Sequence, residues 1–86
     1  MLSERLTIAN VTGLHARPAA WLVDCASRFK SDVSLIAGVT RIDAKDILSV
    51  LGSGFSAGTE VDLVVEGEDE GPAFAAVSAC LRNLPD

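Results

Sequence analysis

Apolar and polar positions alternate with a period of two near the start of the chain. Leu6, Ile8 and Asn10 fall on one side, and Arg5, Thr7 and Ala9 on the other. Successive side chains of a strand point to opposite faces, so residues 4–10 read as a first strand with one covered and one wetter face. Beyond Thr12-Gly13 the period changes. From Ala16 to Phe29 the residues Ala19, Leu22, Val23, Ala26 and Phe29 recur at helical spacing, a stripe that needs a sheet to cover it. Alternation returns at Val33, Leu35 and Ala37, breaks at Gly38 and resumes over Val39 to Asp43 with Ile42, the pattern of two short strands joined by a tight turn. Ala44 to Leu51 carries Ile47, Leu48 and Leu51 ahead of Gly52 and Gly54, a helix of about two turns with a glycine stop.

The glycines of Gly54-Phe55-Ser56-Ala57-Gly58 mark a loop. Glu60 to Glu66 then sets Val61, Leu63 and Val65 against Glu60, Asp62, Val64 and Glu66 as a fourth strand. Glu68-Asp69-Glu70-Gly71-Pro72 supplies carboxylates and a proline suited to a helix start, and Phe74, Val77, Leu81 and Leu84 continue at helical spacing as far as Pro85. The order is β-α-β-β-α-β-α, with no repeat, linker or low-complexity tract, so a single domain over residues 1–86 is expected. One layered arrangement buries every stripe: a four-stranded sheet with the apolar sides of the helices on one face, a two-layer sandwich of α and β.

With 86 residues and 49% of them hydrophobic, the chain has material for one modest core that needs neither disulfides nor metal. Its net charge of -5 argues against a protein that tracks nucleic-acid phosphates, which requires a basic face. The charge is unevenly placed. Residues 1–45 hold Arg5, Arg17, Arg28, Lys30, Arg41 and Lys45 against Glu4, Asp24, Asp32 and Asp43, whereas residues 46–86 hold Arg82 alone against eight carboxylates. An anionic ligand is therefore better tolerated in the amino-terminal half. Cys25 and Cys80 lie in apolar helical patterns with no spacing that builds a zinc site, so both read as buried free thiols. Neither a secretion signal nor an uncharged stretch of membrane-spanning length is present, and a reducing cytoplasm fits best.

The segment Gly13-Leu14-His15-Ala16-Arg17-Pro18-Ala19-Ala20 opens the first helix, and its residue types suit phosphate handling. His15 falls at or next to the cap. An imidazole is nucleophilic only when unprotonated, and the partial positive charge of a helix amino terminus disfavours imidazolium. The first-turn N–H groups of Ala16 and Arg17 lack partners within the helix and are donors for phosphate oxygens. The Arg17 guanidinium meets two such oxygens at once. Pro18 has no N–H to leave unused and favours a first turn, although its ring is expected to push Arg17 off the ideal path. Gly13 permits the sharp turn into the helix.

This segment resembles the active-centre motif of the HPr family of histidine-containing phosphocarriers. Ala44-Lys45 followed by Ile47-Leu48, then Gly54, Gly58-Thr59-Glu60 and Gly67, resemble the family's later landmarks at the right distances, so the resemblance spans nearly the whole chain. It implies an antiparallel sheet with three helices on one face. It also implies that His15 accepts a phosphoryl group on Nδ1 from phospho-enzyme I and passes it to an enzyme IIA component, with Arg17 assisting. A stoichiometric carrier is implied, not an enzyme, with no cofactor or metal, no nucleic-acid partner and no membrane insertion; a monomer is expected.

The family's regulatory serine falls where this chain has Asp46. A carboxylate there is a good helix cap, and it also places fixed negative charge on the docking face, in partial imitation of phosphoserine. Docking in the family uses the first two helices, and Ala20, Trp21, Asp24, Ile47, Leu48 and Leu51 are the matching positions, some of which must also serve the core. Trp21 lies off the first helix's stripe, so it is either a surface contact anchor or packed against the adjoining loop. Two other functions compete with sugar transport: a nitrogen-type regulatory phosphocarrier, and a regulatory module of the same fold that docks without phosphate. The presence of both His15 and Arg17 argues against the second. An autonomous hydrolase lacks a Ser or Cys nucleophile with a carboxylate orienter beside His15.

Overall fold

In a computed structural model, which describes residues 1–85, the elements follow the order read from the pattern; the last position of the expected 1–86 unit, Asp86, lies outside the described residues. The strands are β1 (Leu2–Thr7), β2 (Asp32–Ala37), β3 (Thr40–Asp43) and β4 (Glu60–Glu66), and the helices α1 (Ala16–Ala26), α2 (Ile47–Leu51) and α3 (Glu70–Arg82). The sheet runs β1-β4-β2-β3, antiparallel throughout. Its register places Leu6 opposite Val61, Leu63 opposite Leu35, Leu35 opposite Ile42 and Val65 opposite Val33, so the buried side chains fall in rows on one face. Ala19, Leu22 and Ala26 of α1, Val50 of α2 and Ala73, Val77 and Leu81 of α3 close over those rows in a continuous core. Each fully buried Leu or Val contributes about 1.5–3 kcal/mol relative to exposure, which makes this face the main source of stability. The opposite face is polar in its pairings: Arg5 meets Asp62 at 3.0 Å across the strands, and Arg41 donates to Ser34.

Several element ends differ from those the periodicity predicts. β1 stops at Thr7 instead of residue 10, because its partner strand begins at Glu60, directly opposite Thr7. α1 stops at Ala26 instead of Phe29. Arg28 N–H and Phe29 N–H turn to carbonyls three residues back, at 3.3 Å each, and the next two amides leave the helix altogether, Lys30 and Ser31 donating to the Asp69 carboxylate at 2.9 and 2.8 Å. Phe29 still packs against the core from this turn. α2 begins at Ile47 instead of Ala44, because the Asp43 side chain accepts Lys45 N–H at 2.9 Å and Asp46 accepts Leu48 N–H at 3.0 Å as the cap. The cysteines also depart from expectation. Cys80 is buried, but Cys25 is only half-buried, and the two, distant in sequence, are neighbours between α1 and α3. Burial, with the Cys25 thiol adjacent, raises the Cys80 thiol above its ordinary range.

Asp69 joins the turn after α1 to the start of α3. Its carboxylate accepts from the Ser31 hydroxyl as well as from both amides, and these donors hold its pKa at about 2. Gly67 allows this approach, since a Cβ there would lie 2.7 Å from the Ser31 Cα. A carboxyl group whose folded pKa lies below its unfolded value stabilises the fold above the unfolded value and loses that contribution as pH falls through the folded one. Unfolding followed by urea titration should therefore show stability falling between pH 4 and pH 2, and Asp69→Asn should flatten the decline over that window. An unchanged slope in Asp69→Asn would remove Asp69 from this role.

Candidate functional site

Residues 8–15 carry the chain from β1 to α1 and set the geometry of the site. Ile8 remains paired, donating to the Thr59 carbonyl at 2.9 Å and accepting from Gly58 N–H at 2.7 Å. Asn10 closes the next turn twice: its carbonyl accepts Gly13 N–H at 3.2 Å, and its side-chain Nδ2 donates to the Gly13 carbonyl at 2.7 Å. Leu14 is buried and donates its N–H to the Phe55 carbonyl at 2.9 Å. Gly13 has φ 66°, and a Cβ at this position would sit 2.6 Å from the Phe55 carbonyl oxygen and 2.7 Å from the Ser56 Cα. Both the backbone conformation and the approach exclude a side chain.

His15 is the N-cap of α1, with φ -132° and ψ 152°, and its side chain makes no capping hydrogen bond. It is exposed, as are Ala16 and Arg17, while Leu14, Pro18 and Ala19 on either side are buried. The imidazole is thus presented to solvent between two anchored segments, at the end of α1 where the helix field is positive. The amides of Ala16 and Arg17 open the helix and have no carbonyl to bond within it. Among the described residues the Arg17 guanidinium pairs with no carboxylate. Beside Arg17, where Pro18 is expected to distort the backbone, Ala16 has φ 43°, the left-handed region, which costs a residue with a Cβ about 1–2 kcal/mol. The buried neighbours on both sides hold it there, and the first helical bond, Ala19 N–H to the His15 carbonyl, is stretched to 3.5 Å.

All six expected docking residues are exposed, so none serves the core as anticipated; Val50 is the buried residue of α2. Leu48 is 77% exposed, and Ile47 and Leu51 stand beside it on α2. Trp21 is 52% exposed and borders a groove of about 230 Å³ with Asp24, Cys25 and Arg28. Asp24 is paired with Arg28 at 2.8 Å. The contribution of Asn10, Phe55 and Ser56 to the site was not visible in the pattern. Asn10 reads as an inward strand position, and the one hint of the second segment is an aromatic residue set among loop glycines. No described helix is long and apolar enough to cross a membrane.

A sheet of this order, with a solvent-facing histidine capping the first helix, is the arrangement of a small phosphoryl-carrier protein. The family model described as the PTS HPr component phosphorylation site matches residues 2–83, and the chain belongs to the HPr family of phosphocarrier proteins. Phosphocarrier protein HPr of Treponema pallidum (strain Nichols) is 40% identical over 83 residues, 96% of this chain and 94% of its own. The crystal structure of HPr-C-His from Thermoanaerobacter tengcongensis matches with a TM-score of 0.91 at 38% identity, covering 95% of this chain and 92% of that one. The crystal structure of Crh from Bacillus subtilis matches with a TM-score of 0.76 at 39% identity, covering 95% and 94%, and is described as a domain-swapped dimer. The expectation of a monomer therefore does not follow from membership of the family.

The close seating of Gly13 gives a direct test. Gly13→Ala should lower stability by about 1–3 kcal/mol through the positive φ and the backbone clash. The measurement is the urea midpoint at unchanged slope; a midpoint within error of the parent would show that the 13–14 turn is not fixed against residues 55–56.

Proposed function

We propose that this chain, as one HPr-like unit acting in the cytoplasm, carries a phosphoryl group on His15 between phospho-enzyme I and an enzyme IIA component. The observation that supports this best is the exposed imidazole at the α1 cap, uncommitted to the helix, with the Arg17 guanidinium two residues on, paired with no carboxylate among the described residues. In the forward step the His15 Nδ1 lone pair attacks phosphorus, the N–P bond of the donor phosphohistidine breaks, and the donor imidazole retains that electron pair. The developing charge on the phosphoryl oxygens faces the Ala16 and Arg17 amides and the Arg17 guanidinium. The second transfer reverses these roles, so the protein is a relay and not an enzyme with its own turnover. Ala20, Trp21, Asp24, Ile47, Leu48 and Leu51 supply the docking face, where a half-exposed tryptophan and an exposed leucine are suited to concentrate contact energy.

His15, Ala16 and Arg17 are contiguous in sequence, so the groups the transfer uses belong to one copy, and the proposed carrier works as a monomer. The competing reading is a regulatory module that docks without phosphate; the chain is also similar to the HPr-like protein Crh of Bacillus subtilis, 40% identical over 83 residues. The exposed histidine with an exposed arginine two residues on weighs toward the carrier, whether it serves sugar uptake or nitrogen regulation.

Incubation with enzyme I and labelled phosphoenolpyruvate should yield an acid-labile, base-stable label on the intact protein. His15→Ala should abolish it, and Arg17→Ala should slow it by about ten- to a hundredfold, the worth of a hydrogen bond to a charged group. No label on the folded parent protein would overturn the carrier reading. At Asp46 the charge is separable from the cap, since Ser caps a helix about as well as Asp. Asp46→Ser should leave stability unchanged and raise the rate of labelling about two- to fivefold at low salt, an effect that fades as added salt shortens the screening length. Equal rates at low salt would leave Asp46 as a cap alone.

A further inference from the structure

Asn10 is unusual among the polar residues of this molecule. It is 9% exposed, and its side-chain Oδ1 is buried without a partner among the described residues. A buried amide normally satisfies both ends, and an orphaned acceptor costs about 1–3 kcal/mol. An apolar residue of similar size at this inward position would avoid that cost, so burial alone does not account for an asparagine. Its other end does have work: Nδ2 donates to the Gly13 carbonyl at 2.7 Å, a buried bond, with a weaker contact to the Thr12 hydroxyl at 3.4 Å. The backbone bond across the same turn, Gly13 N–H to the Asn10 carbonyl, is longer, at 3.2 Å.

We infer that Asn10 is a positioning residue for phosphoryl transfer, clamping the Gly13 carbonyl so that the two following residues deliver the His15 imidazole at one fixed place over the α1 amino terminus. Gly13 is conformationally permissive and lies immediately before Leu14 and His15, and without Asn10 the Gly13–Leu14 peptide is held at one end alone, by the Leu14 N–H on the Phe55 carbonyl. Downstream, Ala16 holds a conformation that its own chemistry disfavours, and that conformation persists only while the segments on both sides are anchored. Pro18 and Ala19 are anchored by burial, whereas the upstream side relies on Leu14 and on this turn. Asn10 touches neither the imidazole nor the phosphate-facing amides. It acts through the carbonyl of Gly13, and the donor, not the acceptor, is the part that matters.

The inference rests on His15 as the phosphoryl acceptor. Its test compares the parent protein with Asn10→Ala and with Asn10→Asp, which keeps the shape but places an acceptor where the donor stood. Transfer from phospho-enzyme I is measured over a range of carrier concentrations, with the folded fraction read from urea unfolding of each variant. The expected result is a fall in kcat of about tenfold in Asn10→Ala and at least as much in Asn10→Asp, with KM within about twofold of the parent and both variants folded. A role confined to stability would lower the urea midpoint and leave kcat of the folded protein unchanged, and that result overturns the inference. Failure of both variants to fold overturns it too, because Asn10 would then serve the whole domain and not the turn. If the folded parent itself takes no label on His15, the carrier reading fails instead, and the two failures are distinguished by that control.

Discussion

The Gly13 backbone lies so near the backbone of Phe55 and Ser56 that no Cβ fits between them, and the candidate site depends on that approach. There the end of β1, the beginning of α1 and the loop after α2 meet, with no side chain on Gly13 to hold them apart. The Leu14 amide, turned to the Phe55 carbonyl at 2.9 Å, converts that proximity into a fixed direction for the chain. Two residues later the helix is under way. A histidine at a helix cap in an ordinary loop would sample many orientations; here its backbone is fixed from behind by a segment forty residues distant in sequence.

This arrangement separates the groups that stabilise the protein from those that are presented to a partner. The inner face of the sheet and the undersides of the three helices carry the core, and none of the expected docking residues belongs to it. The ion pairs are exposed, and two of them join neighbouring elements. Arg5 with Asp62 ties edge strand β1 to β4, and Arg82 with Glu4 ties α3 to β1. Each such pair is worth little alone, about 0–1 kcal/mol, and their value is in keeping an edge strand in register. Among the described residues Arg17 is left out of every such pair, which leaves its charge available for an external anion.

The layered fold was legible in the sequence because its determinants are local and periodic. Glu60 to Glu66 alternates so regularly that β4 has the predicted bounds, and the stripes of α1 and α3 identify their buried faces. The ends of elements were less legible because remote groups decide them. Nothing near Phe29 in sequence signals that Asp69 will take the amides of Lys30 and Ser31 and so finish α1 three residues early. Asp43 similarly takes Lys45 N–H and delays α2, although there the capping residue, Asp46, was identified from its type alone. At the site, His15 and Arg17 stood out by chemical type and spacing, and the resemblance to the HPr family rested on them. Asn10 did not stand out. Its place in the β1 alternation assigned it to a strand face, a reading that accounts for its burial and not for the direction of its amide.

Ala16 shows why a motif is an incomplete description of such a site. The proline at 18 points to strain at 17 on local grounds, since a proline ring opposes helical geometry in the residue before it. The disfavoured conformation falls one residue earlier, at the peptide joining His15 to the helix. Local sterics fix how much deviation the turn into α1 must absorb, but the anchors decide where. Pro18 and Ala19 are held in the core and Leu14 is held against Phe55, so the exposed residues between them must accommodate the mismatch. Of these, alanine has the smallest side chain and meets the left-handed region with the least obstruction. The strain therefore lies next to the histidine as a consequence of burying the residues on either side, and it is carried at a position where no core contact is lost to accommodate it.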